Sequence, residues 1–390
     1  MRKLLTILLI LMNITLTLGI TVQAETEEIT PDNLISEAVI LMDANSGQIL
    51  YEKNARVPLY PASLTKIATA IYAIENGDMD DIVTISENAW ETEGTRVYLE
   101  VEEKVSLKKL IQGLLINSGN DAGVAIAEHL DGSIEQFAES INTYLKDEIG
   151  VQDSHFVNPH GLFDPNHQTT AADLAKMTKY AMKNEKFREI IGTKQLEWNG
   201  ESWATTLFHH HKLMRENPYE GVTGGKTGFV DESGHTLMTT AERENISLIV
   251  ITLQNPLIMD GYNDTIQLLD YGFENFETNH IEKGTEYEDE NGKVYQVSKN
   301  LYFTREKNES VSTEVNGDGE LSIFQNNSLL NITFQLNKED QEKKQQSKEE
   351  VINDEVSKAS ATGFNMYLIL PILLVGLMLF LIIKRKLKYR

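Results

Sequence analysis

The chain has 390 residues, a net charge of −24 and no cysteine. So negative a field argues against nucleic acid and against flat docking on anionic lipid, and any anionic substrate must meet a local cation. Without cysteine there are no disulfides, thiol nucleophiles or thiolate metal sites, and the fold rests on its apolar core.

Residues 1–24 read as a secretory signal peptide. Arg2 and Lys3 precede an apolar run from Leu4 to Met12, and Val22-Gln23-Ala24 ends in the small residues a signal peptidase reads. An apolar run over 38–42 and a strand pattern over 48–52 flank the turn Asn45-Ser46-Gly47, which predicts a β-hairpin. Pro61 precedes a helix expected over 63–75 and closed by Asn76-Gly77. Helical periodicity continues over 106–116, 121–130, 134–146 and 171–183. Strand patterns return at 225–229, 235–241 and 246–253, with a helix near 263–270. Strands at both ends of a helical insert predict a sheet built from distant segments with helices packed on it, so 25–278 reads as one α+β domain.

Beyond it, 279–336 shows turn signals between short strand-like runs and reads as a small all-β domain. Residues 337–362 are charged and lack aromatics, as in a stalk. Residues 363–383 are uncharged and long enough for one transmembrane helix, and 384–390 form a basic tail. The positive-inside rule puts that tail in the cytoplasm and the body outside, as an exported, single-pass membrane protein. Without the signal and the tail the charge is about −31.

Three polar strings carry candidate chemistry. In Ser63-Leu64-Thr65-Lys66 the serine and lysine lie one helical turn apart. A lysine amine can take a serine proton only if burial or a neighbouring cation lowers its pKa. Ser118-Gly119-Asn120 follows 55 residues on, a loop with a helix cap that also offers a hydroxyl and an amide. Lys226-Thr227-Gly228 lies 108 further on in a strand pattern, where an edge strand could pair with a peptide and Lys226 could meet a carboxylate. Each string alone also has an ordinary structural reading: a solvated helix start, a capped loop, a bulged strand.

Together and in this order they resemble the signature of penicillin-binding proteins and class A β-lactamases. The chain is similar, more narrowly, to the low-molecular-mass D-alanyl-D-alanine carboxypeptidases over 30–278. It shares with them the text around Leu41–Tyr51, Pro61–Lys66, Asn120-Asp121-Ala122, Asn158–Leu162, His167–Leu174 and Asp270–Phe273. The resemblance implies a β-lactamase/transpeptidase-like fold, an antiparallel sheet with helices on both faces. It implies Ser63 as the acylated nucleophile, Lys66 as its base and Ser118 as the proton relay to the leaving D-alanine. Asn120, Lys226, Thr227 and Gly228 would bind substrate, and the backbone N–H groups of Ser63 and Phe229 would form the oxyanion hole. It implies peptidoglycan pentapeptide as substrate, β-lactams as covalent inhibitors, the membrane as partner through the C-terminal helix, and neither metal nor cofactor.

The chain departs from the family pattern at Val230, commonly Thr, and at His211, commonly Asn. Its apparent spanning helix also replaces the amphipathic tail of several relatives. A class A β-lactamase needs a glutamate between the second and third strings to activate water, and 158–175 contains none. A non-catalytic wall sensor is the other rival. His209 and His211 could share one face of a strand, but no acidic or cysteine partner stands at a metal-site spacing. His160 and His167 are expected to be structural beneath the site.

Overall fold

The computed structural model describes residues 31–336, apart from 202 and 327. The expected signal peptide, stalk, spanning helix and basic tail lie outside the described residues. Among the described residues no helix is long and apolar enough to cross a membrane.

The described chain divides into two compact units. The first takes in the chain through Met42, Ile49–Arg243 and Leu248–Asn275; the second takes in Asp43–Gln48, Glu244–Ser247 and the chain from Phe276 on.

In chain order the first unit begins with β1 (Ala38–Asp43) and β2 (Ile49–Lys53), then a tight turn at Ala62–Leu64 and α1 (Thr65–Asn76). There follow β3 (Ile82–Thr84), α2 (Glu87–Glu91), β4 (Lys104–Ser106), α3 (Leu107–Ile116), α4 (Asn120–Asp131) and α5 (Ile134–Tyr144). Next come α6 (Ala171–Ala181), α7 (Glu185–Ile191), β5 (Gln195–Asn199), β6 (Ala204–Phe208) and α8 (Lys212–Arg215). The unit closes with β7 (Val222–Val230), β8 (Gly234–Arg243), β9 (Ile246–Asn255) and α9 (Ile258–Asn275).

The main sheet has the order β2-β1-β9-β8-β7, and its outer pairs β1–β2 and β7–β8 are antiparallel. Strand β1 is buried at every residue. That is why Ala38–Met42 reads as a continuous apolar run and not as an alternating one. Helix α9 covers β1 and β9 closely: a Cβ at Gly272 would meet Leu248 and Leu41 side chains at 2.6 and 3.3 Å. Helix α1 is buried from Thr65 to Ile74, with α3, α4, α6 and α7 packed around it. An apolar surface on all sides suits a helix at the centre of a layer.

The helix starts are written in short polar residues. Ser86, Ser106, Ser133, Thr170 and Asn184 each accept a backbone N–H from the first turn that follows. Several elements go beyond the sequence expectation: α2, α7 and the hairpins β3–β4 and β5–β6. The helix expected near 263–270 runs over Ile258–Asn275.

The second unit has its own core of Ile281, Tyr295, Val297, Leu301, Phe303, Leu321, Ile323 and Leu336. It contains the antiparallel pair Phe276–Ile281 with Leu301–Glu306 and a three-stranded sheet over Val311–Val315, Glu320–Gln325 and Ser328–Gln335. Buried Asp43 is satisfied there, its Oδ2 accepting the Thr278 and Thr304 hydroxyls at 2.6 and 2.7 Å.

Candidate active site

Ser63 sits in the tight turn Ala62–Leu64 that runs into α1 at Thr65. The expectation placed it in the first α-turn itself; the structure places it in the turn just before. Ala62 has φ +47°, a left-handed conformation unusual for a residue with a side chain. Its carbonyl accepts the Thr65 hydroxyl at 2.8 Å.

One turn on, the Lys66 side chain is wholly buried, and its amine meets three oxygens. They are Ser63 Oγ at 2.9 Å, Asn120 Oδ1 at 2.8 Å and the His160 carbonyl at 2.7 Å. The Asn120 amide nitrogen donates to the Glu93 carbonyl at 2.7 Å, which orients the amide and turns its oxygen to Lys66. The His160 and Asn120 oxygens can only accept, whereas the Ser63 hydroxyl can also donate. A neutral amine therefore gives its two protons to the two obligate acceptors and leaves its lone pair for the Ser63 proton. Burial pushes the Lys66 pKa well below the usual lysine range, Lys226 pushes it the same way, and Asp121 opposes them.

Ser118 links α3 to α4 with φ +62°. The Lys226 amine donates to Ser118 Oγ and to the Thr227 carbonyl, both at 2.9 Å. Burial lowers the Lys226 pKa to about 7. Strand β7 ends the sheet order, so Lys226, Thr227 and Gly228 lie on an edge strand. Gly228 lets that strand run flush with the Ala62–Leu64 turn, since a Cβ there would lie 2.7 Å from Ser63 N. Phe229, next along, is 53% exposed.

Buried Asp121 organises the other rim. Its carboxylate accepts the backbone N–H groups of Val97 and Leu99 at 3.0 and 3.2 Å. Burial raises its pKa, and these hydrogen bonds oppose the rise. Segment 93–99 is thereby held beside Asn120, with Gly94 close enough that a Cβ would meet Asn120 Nδ2 at 2.6 Å.

A family profile described as D-alanyl-D-alanine carboxypeptidase, of peptidase group S11, matches residues 23–256. The chain belongs to that family. D-alanyl-D-alanine carboxypeptidase DacA of Haemophilus influenzae is 33% identical over 294 residues, 70% of each chain. DacF of Bacillus subtilis is 33% identical over 257 residues, 64% of each. Among solved structures, penicillin binding protein 5 from Haemophilus influenzae matches with TM-score 0.70 and 27% identity, covering 79% of this chain and 98% of that one. Penicillin binding protein 6B from Escherichia coli matches with TM-score 0.67 and 27% identity, covering 79% and 97%. The fold is therefore the mixed α/β fold of the penicillin-binding proteins, and the activity is that of a serine-type D-alanyl-D-alanine carboxypeptidase.

In this carboxypeptidase the three polar strings come together as pairs: Ser63 with Lys66, Lys66 with Asn120, and Ser118 with Lys226. Asn120, expected to face the acyl group, has its oxygen on Lys66 and its nitrogen on Glu93. The histidines sit behind these groups. His211 lies against Gly225, where a Cβ would meet its ring at 2.3 Å, and its Nε2 pairs with Thr239 Oγ1 at 2.8 Å. His209 Nδ1 accepts the His211 N–H at 3.1 Å. Neither shares a strand face with the other, because β6 stops at Phe208. Among the described residues no group of three or more His, Cys, Asp or Glu is placed to hold a metal. The contributors that motif reading missed are the His160 and Glu93 carbonyls, Asp121 and Gly161. Asn158-Pro159-His160-Gly161 does signal a turn, and Gly161 takes φ +87°.

Proposed function

We propose that this carboxypeptidase releases the terminal D-alanine of peptidoglycan pentapeptides through an acyl-enzyme on Ser63. The peptide pairs along the edge of β7, and its terminal carboxylate meets the Lys226 ammonium and the Thr227 hydroxyl. Gly228 leaves room for the approach. Neutral Lys66 takes the Ser63 proton as Oγ attacks the penultimate carbonyl. The backbone N–H groups of Ser63 and Phe229 receive the oxyanion. Ser118 gives its proton to the departing D-alanine nitrogen as the C–N bond breaks and takes one from the Lys66 ammonium, which leaves Lys66 neutral again. Water then attacks the ester, giving its proton back through Lys66, and the shortened peptide leaves with Ser63 restored.

What carries this reading is the set of partners around Lys66: two obligate acceptors and one hydroxyl, in a site that lowers the amine's pKa. Asn120 serves by holding Lys66 and, after acylation, by turning to the bound acyl group. A β-lactam presents the same acyl bond and carboxylate, and acylates the same hydroxyl. The decisive experiment incubates the protein with a diacyl-D-alanyl-D-alanine peptide and assays free D-alanine, with Ser63→Ala beside it. Release that persists in Ser63→Ala overturns the assignment. So does an intact mass that shows no penicillin adduct on the parent protein.

We also infer export and single-pass anchoring, with the site on the extracytoplasmic face. Support comes from the charged start and apolar run of 1–24, the uncharged 363–383 and the basic 384–390. Recovery of the unprocessed chain in the cytosolic fraction counts against it.

A further inference from the structure

Thr65 lies in the chain between Ser63 and Lys66, and its hydroxyl bonds elsewhere. Its hydroxyl lies 2.8 Å from the Ala62 carbonyl and 2.8 Å from His167 Nε2. The other ring nitrogen, Nδ1, accepts the Val157 N–H at 3.1 Å. A nitrogen that receives an N–H carries no proton, so the neutral ring bears its proton on Nε2 and donates it to Thr65. The hydroxyl then has its own proton free for the Ala62 carbonyl. The polarity of the chain is thus fixed from end to end: Val157 N–H to His167, His167 to Thr65, Thr65 to Ala62.

The chain is also rigidly seated. Thr65 and His167 are both buried. The imidazole stacks on Phe156, with ring centroids 5.0 Å apart. The carbonyl at the far end is tightly confined, since a Cβ on Gly161 would come within 1.8 Å of it. It belongs to the left-handed residue immediately before Ser63, a conformation that persists only where its surroundings enforce it.

We propose that Thr65 and His167 are positioning residues, which hold Ala62 in its left-handed turn and so aim Ser63 Oγ at Lys66. Neither meets substrate. The proposal rests on the reading of Ser63 as nucleophile. Loss of the chain frees Ala62 to relax toward an ordinary backbone conformation and carries Ser63 Oγ off its line to the Lys66 lone pair. A misplacement of about 1 Å can cost about 10² in rate. The peptide groove on β7 is untouched, so binding holds.

The test uses the full chain and reads D-alanine release, the rate of acylation by penicillin from intact mass, and melting temperature. Thr65→Val keeps the shape and removes the hydroxyl; it should lower kcat and the acylation rate by about 10–100-fold, with KM within about twofold. Thr65→Ser restores the hydroxyl and should stay near the parent. In His167→Gln the amide nitrogen can stand where Nε2 stood and keep the bond to Thr65, so its rate stays high. His167→Asn can satisfy only Val157 and should fall as Thr65→Val does. The double variant Thr65→Val/His167→Asn should be no slower than Thr65→Val, because both changes break one chain. If Thr65→Val fails to fold, the His167→Asn and His167→Gln pair carries the same comparison. Parental acylation rates in both Thr65→Val and His167→Asn, or losses that multiply in the double variant, overturn the proposal. Ser63→Ala separates the two readings. Continued release there overturns the nucleophile assignment, while its silence beside unimpaired Thr65→Val and His167→Asn overturns only the positioning role.

Discussion

The amide nitrogen of Ser63 faces Gly228 so closely that a Cβ placed on residue 228 would come within 2.7 Å of it. The same Cβ would meet Thr236 Oγ1 at 2.5 Å, and that hydroxyl anchors the Pro61 carbonyl at 3.0 Å. Strand β7 and the turn that carries Ser63 thus touch backbone to backbone, which suits the proposed convergence of two N–H donors on one oxyanion. Gly228→Ala should push them apart while leaving Lys66 and Lys226 in place. Loss of one oxyanion donor costs about 10²–10³ in rate, and a fall of that order in acylation rate is expected. Stopped-flow acylation by a chromogenic β-lactam measures it. A variant as fast as the parent removes this backbone contact from the mechanism.

The two buried lysines predict the pH profile. In the proposed mechanism Lys66 works as the neutral amine, so kcat/KM should rise as pH climbs through its lowered pKa. Lys226, proposed to bind the carboxylate as the ammonium, has its pKa lowered to about 7 by burial, so kcat/KM should fall again on the alkaline side. The bound substrate carboxylate raises the Lys226 pKa, so the alkaline fall should be clear in kcat/KM and weak in kcat. Lys226→Arg, always charged, should lose the alkaline limb, whereas Lys66→Arg should be inactive because guanidinium accepts no proton. A pH series of D-alanine release tests both, and an active Lys66→Arg assigns the base elsewhere.

The polar side chains that the structure brings together, Ser63 with Lys66 and Ser118 with Lys226, were legible in the chain because their types stand out. The missing part was backbone. The His160 and Glu93 carbonyls have no residue signature, yet they take one Lys66 proton and set the Asn120 amide. The fold shows the same division. Apolar runs such as Ala38–Met42 marked buried strands. The β5–β6 hairpin was missed because its strands are only five residues each, and the alternation in Gln195–Asn199 rests on two inward side chains, Leu196 and Trp198. The start of α9 was hidden by Gly261, a poor helix former kept because a Cβ there would meet Asn255 Nδ2 at 2.8 Å.

The Asn120–Lys66 contact allows the base to be tuned. Asn120→Asp replaces an amide oxygen 2.8 Å from the amine with a carboxylate oxygen. An opposite charge at that range favours the protonated amine and typically moves a pKa by about 1–3 units. The acid limb of kcat/KM should move to higher pH by at least about one unit. Activity at neutral pH should fall and partly return in alkaline buffer. An unmoved acid limb with lower activity at every pH would assign Asn120 to the substrate alone.

Four buried histidines make the protein sensitive to acid. Burial is the main cause that lowers the pKa of His160, His167 and His211 to about 3 and that of His209 to about 2. In the unfolded chain a histidine titrates near 6.5. Between those values the unfolded state binds more protons than the folded state, so stability rises with pH and falls on acidification. The contribution of each ring is complete above about pH 6.5 and is lost toward pH 3, at about 1.4 kcal/mol per pH unit within that window. His211 is the best single probe, since its imidazole touches Gly225 and Thr239 but neither Ser63 nor Lys66. The parent should melt at a markedly lower temperature at pH 5 than at pH 7, and His211→Asn should show a shallower fall. A melting temperature flat across that interval would mean that the rings already carry protons in the folded protein, and that Lys226, behind which His211 and His209 lie, has cationic neighbours.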